Sequence, residues 1–188
     1  MFIVFEGGEG AGKSSQVSML KDALKMPCVV TKEPYLEWIK KTVFDARTPE
    51  MASLYLFLAD RIIHINNVIK PALKEGKIVI CDRYFLSTIA YEGYGYGIDI
   101  ELIKELNDAS TGNIVADIVF LLDIEPEKGL KRVKRDNRFE KEDISFHKRV
   151  RTGYLSLAKE DKNIKVLDGE KTKDEIHKIV MEELEFRI

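Results

Sequence analysis

Apolar residues along this chain fall into two alternating patterns. Four short runs are apolar almost without a break: Phe2 to Glu6, Ile78 to Asp82, Ile118 to Asp123 and Ile164 to Asp168. A fifth, Val29 to Glu33, is more mixed. Unbroken β-branched and aromatic runs of this length are what parallel strands covered on both faces require. Between them apolar positions recur every three or four residues. The clearest stripe, Met51, Leu54, Leu58, Ile62, Ile65 and Ile69, predicts a helix over 51–69. Such a stripe serves either as core or as a face for a second subunit. Strands joined by helical crossovers predict an α/β fold, a doubly wound five-stranded parallel sheet flanked by helices, with ligands outside the strands' carboxyl ends. No repeat or Gly/Ser/Pro-rich linker divides the chain, so 1–188 reads as one domain.

Composition narrows the function classes. Apolar residues make up 45% of the 188, enough for a core and against disorder. Charged residues reach 33%, but 30 basic side chains nearly balance 32 acidic ones, which argues against nucleic acid as a partner. The two cysteines, Cys28 and Cys81, sit in apolar runs without metal-ligand spacing, as expected in a reducing compartment. No apolar run approaches membrane-spanning length, and the amino terminus shows no basic leader, so a cytoplasmic protein without a membrane partner is expected. One segment, 128–151, concentrates ten Lys and Arg residues among fewer acids, either as a solvated helix pair or as a basic lid over about 132–142.

The first strand runs into Gly7-Gly8-Glu9-Gly10-Ala11-Gly12-Lys13-Ser14, a P-loop in the strand-loop-helix setting that the motif requires. Its glycines let backbone N–H groups turn inward around phosphate, and the following helix adds its positive end. Lys13 is then placed to reach the outer phosphates of a nucleoside triphosphate, and Ser14 to offer its hydroxyl to Mg2+. The third strand ends in Asp82, where such folds place the acid that holds the metal through water; helix capping is the alternative role. Arg83 follows, suited to a second phosphate or to a plain ion pair.

With these features the chain resembles the thymidylate kinase family of P-loop nucleoside monophosphate kinases. The resemblance spans nearly the whole length and rests on Phe5-Glu6-Gly7 with Gly10-Ala11-Gly12-Lys13-Ser14-Ser15-Gln16, on Thr31-Lys32-Glu33-Pro34, on Leu56-Phe57-Leu58-Ala59-Asp60-Arg61, on Asp82-Arg83-Tyr84 with Ser87, Ala90, Tyr91 and Gly93, and on Asn137-Arg138-Phe139-Glu140. It implies ATP as donor on the P-loop, Ser15 included, and dTMP as acceptor, bound by Glu9, Glu33, Phe57, Arg61, Arg83, Ser87, Thr88 and Tyr91. Phe57 would stack on the base and Arg61 meet its carbonyl edge, and Ser53, Phe57 and Arg61 share a helix face by their spacing of four. Ser87 and Thr88 would meet the base's polar edge, Arg83 the acceptor phosphate and Tyr91 the deoxyribose. For Phe57 and Tyr91, ordinary packing is the competing role. The resemblance also implies a homodimer.

Position 10 is glycine where some members of the family carry arginine, so the catalytic charge is expected from lid arginines, Arg138 and Arg135 first and Arg132 behind them. The chain departs from the family at Glu33-Pro34-Tyr35-Leu36-Glu37, where relatives often read Glu-Pro-Gly-Gly-Thr, at Glu92 in place of a common glutamine, and in a shortened lid. Phosphoryl transfer from ATP to dTMP, with Lys13, Arg83 and the lid arginines as the catalytic residues, is the expected activity. The alternatives are another small-molecule P-loop kinase or a nucleotide switch, although the Asn-Lys-x-Asp guanine motif of a GTPase is absent.

Overall fold

The computed structural model describes residues 1–134 and 136–185. Five strands, β1 (Phe2–Gly7), β2 (Cys28–Lys32), β3 (Ile78–Asp82), β4 (Ile118–Asp123) and β5 (Ile164–Asp168), form one parallel sheet in the order β2-β3-β1-β4-β5. Register follows from the apolar runs: Val4 pairs with Cys81 on one side of β1, and Phe5 with Phe120 on the other. Successive residues of β1 point to opposite faces, so Ile3 and Phe5 enter one core with α1 (Lys13–Ala23) and α10 (Lys173–Glu185), and Phe2 and Val4 enter the other. That second, larger core is covered by α3 (Glu50–His64), α6 (Ile100–Thr111) and α9 (Ile144–Glu160). Helices thus lie on both faces of the sheet.

The two edge strands depart from the expected double cover. In β5 only Ile164 and Leu167 are buried and Val166 is 48% exposed, and in β2 Val30 is 41% exposed. Each has a single neighbour in the sheet, so fewer elements are available to cover it. The predicted helix over 51–69 is found as α3 continued by a π-helical turn, Ile65–Ile69, into α4 (Lys70–Lys74). The wide turn precedes Pro71, whose missing N–H interrupts the helical ladder. Its stripe divides: Leu54, Leu58, Ile65 and Ile69 are core, whereas Met51 and Ile62 are exposed beside Tyr55.

Carboxyl ends of β1, β3 and β4 converge on the P-loop. Short helices follow there: α2 (Glu37–Val43) after β2, α5 (Phe85–Thr88) and a second π-helical segment (Ile89–Gly95) after β3, α7 (Pro126–Leu130) after β4, and α8 (Arg138–Lys141) in the basic segment.

Candidate active site

The P-loop curls back on itself. Lys13 Nζ donates to the carbonyls of Gly7 (3.0 Å) and Gly8 (2.8 Å), and Ser14 Oγ donates to Asp82 Oδ2 at 2.5 Å. Burial pushes the Lys13 ammonium down to about 8, Arg83 adds to the fall, and Asp82 and Glu9 oppose it. Gly10 adopts φ +67°, and a Cβ there would lie 2.1 Å from the Gly129 carbonyl oxygen of α7. Any side chain at position 10, arginine included, is therefore excluded by this backbone packing.

Two cavities open on either side of this loop. One is an open groove of about 670 Å³ lined by Glu9, Gly10, Ala11, Gly12, Lys13, Ser14, Ser15 and Gln16, with Asp82, Arg83 and Arg132. The other is a half-open cavity of about 200 Å³ lined by Glu9, Glu33, Phe57, Arg61, Arg83, Ser87, Thr88 and Tyr91, with Phe139 and Glu92. All eight residues assigned to dTMP by resemblance, drawn from six separate elements and loops, face this one space. Gly7 and Gly8 line neither; they border a smaller space near His147 and Tyr154 and act through their carbonyls.

Glu9 and Arg83 border both cavities. Arg83, at φ +72°, occupies the left-handed region that a non-glycine residue seldom takes. Its Nη2 donates to Glu9 Oε1 (3.1 Å) and Tyr91 Oη (3.3 Å), and its guanidinium lies 5.2 Å from the Tyr91 ring centre. Tyr91 Oη donates to Glu9 Oε1 at 2.7 Å. Burial alone would raise the Glu9 carboxyl, but Arg83 and Lys13 outweigh it and hold it below its usual range.

At the far end Arg61 is fully buried. It donates to Glu33 Oε2 from Nε (3.0 Å) and Nη2 (2.8 Å), to Asn107 Oδ1 from Nη1 (2.7 Å) and to Thr88 Oγ1 from Nη2 (2.8 Å). Four of its five N–H groups are thus committed within the protein, and one Nη1 hydrogen remains for a ligand. His64 ties Glu33 (3.2 Å) to Thr31 (2.7 Å) and stacks on Tyr35 with ring centres 4.9 Å apart. The altered loop after Pro34 is pinned by Asp60, which accepts from the amides of Tyr35 (2.6 Å) and Leu36 (2.7 Å). A side-chain carboxylate and a ring stack hold this loop, where relatives often carry glycines.

Three placements differ from the sequence reading. Ser87, grouped with Thr88 at the base, is drawn to the Arg83 end of the cavity: its hydroxyl donates to Glu6 Oε2 at 2.6 Å and accepts from Arg83 Nη1 at 3.2 Å. Arg138, expected to supply charge to the transferring group, is turned inward; it donates to the Thr48 carbonyl and lies over the rings of Phe139 (4.7 Å) and Tyr96 (5.4 Å). Aromatic packing at the start of α8 sets this direction. Arg132, ranked behind it, lines the open groove and donates to the carbonyls of Gly10 (3.3 Å) and Gly169 (3.1 Å). Arg135 lies outside the described residues. Other parts of the basic segment are structural: Arg151 pairs with Asp123 at 2.7 Å, and Lys148 with Glu127 at 2.8 Å.

Residues given no role from sequence also shape the site. Phe139 packs against Phe57 (6.2 Å), Tyr91 (5.7 Å) and Phe44 (5.9 Å), closing the cavity; its place in the Asn-Arg-Phe-Glu motif was the available signal. Glu92, fully buried, has no hydrogen-bond partner for Oε1 among the described residues, and burial pushes its carboxyl up to about 8 against the pull of Arg138.

Comparison with known proteins matches residues 5–180 to the family described as thymidylate kinase. The chain belongs to the thymidylate kinase family. A thymidylate kinase of Nostoc sp. is 41% identical over 197 residues, spanning 96% of this chain and 93% of its own. One from Sulfurihydrogenibium sp. is 40% identical, spanning 99% and 97%. The crystal structure of thymidylate kinase from Ehrlichia chaffeensis superposes with a TM-score of 0.83 at 34% identity, covering 98% of both chains. This protein is accordingly a kinase with the P-loop NTPase fold that phosphorylates dTMP to dTDP with ATP.

Proposed function

We propose that dTMP occupies the half-open cavity, with its base between Phe57 and Arg61 and its phosphate at Arg83, and that ATP lies along the P-loop groove. The observation that carries this reading is the shared border: Glu9 and Arg83 line both cavities, so an acceptor phosphate in one and a γ-phosphate in the other meet at a single guanidinium. An oxygen of the dTMP phosphate attacks the γ-phosphorus, the bond to the bridging oxygen breaks, and ADP leaves. The nucleophile is already anionic, so no general base is required. The protein aligns two negative reactants and offsets the charge gathered between them. Lys13 serves the donor phosphates, Arg83 the acceptor, and Arg132 is the described lid arginine in position for the transferring group. Tyr91 lies beside the sugar and Thr88 at the base, with Glu33 holding Arg61.

Ser14 and Asp82 offer a hydroxyl and a carboxylate oxygen 2.5 Å apart at the groove, a donor set that fits a hard cation. No three His, Cys, Asp or Glu side chains cluster for a metal among the described residues, so phosphates and water would complete the shell, as Mg2+ prefers. When bound, Mg2+ supplies charge neutralisation on the phosphate oxygens.

The assembly we propose is a homodimer through α3, where Met51 (39% exposed), Tyr55 (54%) and Ile62 (46%) share one face and Trp38 (59%) stands exposed on α2. No helix among the described residues is long and apolar enough to cross a membrane. Both cysteines are free, which supports a cytoplasmic setting. Arg83→Ala tests the site. It should raise KM for dTMP by roughly tenfold or more and leave KM for ATP nearly unchanged, because a charge-assisted contact contributes about 1.5–3 kcal/mol. Equal rises for both substrates would sink the placement.

A further inference from the structure

Glu6 stands at the end of β1, fully buried, and no step of phosphoryl transfer uses it directly. A carboxyl group in such a place is costly unless every lone pair is engaged. Here Oε1 accepts from the amides of Tyr84 (2.8 Å) and Ser87 (3.2 Å), and Oε2 accepts from Ser87 Oγ (2.6 Å) and Tyr154 Oη (3.0 Å). Both amides belong to the first turn of α5, which receives no side-chain cap from its own sequence. A residue 78 positions earlier therefore caps the turn that begins at Arg83.

The same two hydroxyls lead on to the guanidinium. Ser87 Oγ donates to Glu6 and Tyr154 Oη lies 3.0 Å from Glu6 Oε2 and 2.8 Å from Ser87 Oγ, so each hydroxyl oxygen keeps a lone pair that accepts from Arg83 Nη1, at 3.2 and 3.3 Å. The Gly7 carbonyl takes Nη1 as well, at 3.1 Å. On the backbone, the Arg83 amide is held by the Phe5 carbonyl at 2.9 Å, and its left-handed φ leads directly into the capped turn. One edge of the guanidinium is thus fully engaged by the protein behind it. The other edge, Nη2, meets Glu9 and Tyr91, which border the substrate cavity.

We infer that Glu6 is a positioning residue for phosphoryl transfer: through the turn it caps and through Ser87 and Tyr154, its carboxyl group fixes the Nη1 edge of Arg83 and leaves the Nη2 edge to the acceptor phosphate. This rests on the placement of the acceptor phosphate at Arg83. Burial raises the Glu6 carboxyl above its ordinary range, while the Ser87 hydroxyl and Arg83 draw it back. Acceptor geometry is the essential feature, because backbone amides cannot reverse and the hydroxyls follow whichever group faces them.

Glu6→Gln examines that geometry with little change of shape. The amide oxygen keeps both backbone donors, but the amide N–H groups now point at the two hydroxyl oxygens and compete with Arg83 for their lone pairs. Steady-state kinetics on the full chain, with thermal melting in parallel, should show KM for dTMP raised about tenfold and KM for ATP within about twofold. Tyr154→Phe removes one relay hydroxyl and should give a smaller rise of the same kind. In the double variant the two rises should not multiply, since both act through one guanidinium edge. An unchanged KM for dTMP in Glu6→Gln, equal rises for both substrates, or fully multiplicative effects in the cycle would overturn the inference. If Glu6→Gln does not fold, Tyr154→Phe decides by the same split. Should Arg83→Ala itself fail to weaken dTMP selectively, the fault lies in the placement of the acceptor phosphate, and the inference falls with it.

Discussion

Glu92 makes the folding stability of this enzyme depend on pH in a way its sequence position alone would not suggest. The carboxyl is fully buried, its Oε1 has no hydrogen-bond partner among the described residues, and burial lifts it from 4.5 to about 8. The folded chain therefore binds this proton more tightly than the unfolded chain does. The stabilisation this represents is complete below about pH 4.5, declines as pH rises, and is gone above about pH 8. Each pH unit inside that window removes about 1.4 kcal/mol, on the order of 4–5 kcal/mol in all. Glu92→Gln keeps the size of the side chain and abolishes the titration. Urea unfolding of parent and variant should thus give stability profiles that diverge in the variant's favour by about 2 kcal/mol between about pH 6 and pH 8. A constant difference across that range would refute the reasoning, since it would mean that the buried carboxyl does not take up a proton on folding.

Lys13→Ala should nearly abolish turnover while the melting temperature holds, because the ammonium serves phosphate charge; a folded variant with most of its turnover would remove the P-loop from the mechanism. In the parent, kcat/KM for ATP at saturating dTMP should fall above about pH 8 as Lys13 loses its proton, and a profile that stays flat well into the alkaline range contradicts the burial argument. Gly10→Ala should cost at least about 1–3 kcal/mol and ATP affinity with it, given the left-handed backbone and the Gly129 carbonyl 2.1 Å from the new Cβ; unchanged denaturation midpoints would show that the loop relaxes freely. Arg132→Ala should lower kcat about 100-fold with KM for dTMP unchanged, whereas Arg138→Ala should chiefly lower stability; the reverse outcome would return the catalytic charge to Arg138.

How much of this was legible beforehand depends on the range of the interactions. The five strands and the P-loop were readable because each is encoded within a few consecutive residues: an apolar run of strand length, or glycines spaced so that amides turn inward on a phosphate. The same local spacing placed Ser53, Phe57 and Arg61 on one face of a helix. Periodicity could not divide the stripe over 51–69, because whether Leu54 or Met51 is covered depends on which elements pack there. Strand order was equally hidden, and with it the exposure of Val30 and Val166, since only the assembled sheet makes β2 and β5 its edges. The direction of Arg138 was settled by two aromatic rings, one of them 42 residues away, and the role of Glu6 by a tyrosine 148 residues along the chain. Charge type and helical phase are properties of sequence, but which carboxylate meets which guanidinium in a low-dielectric interior is decided only when distant segments exclude water together.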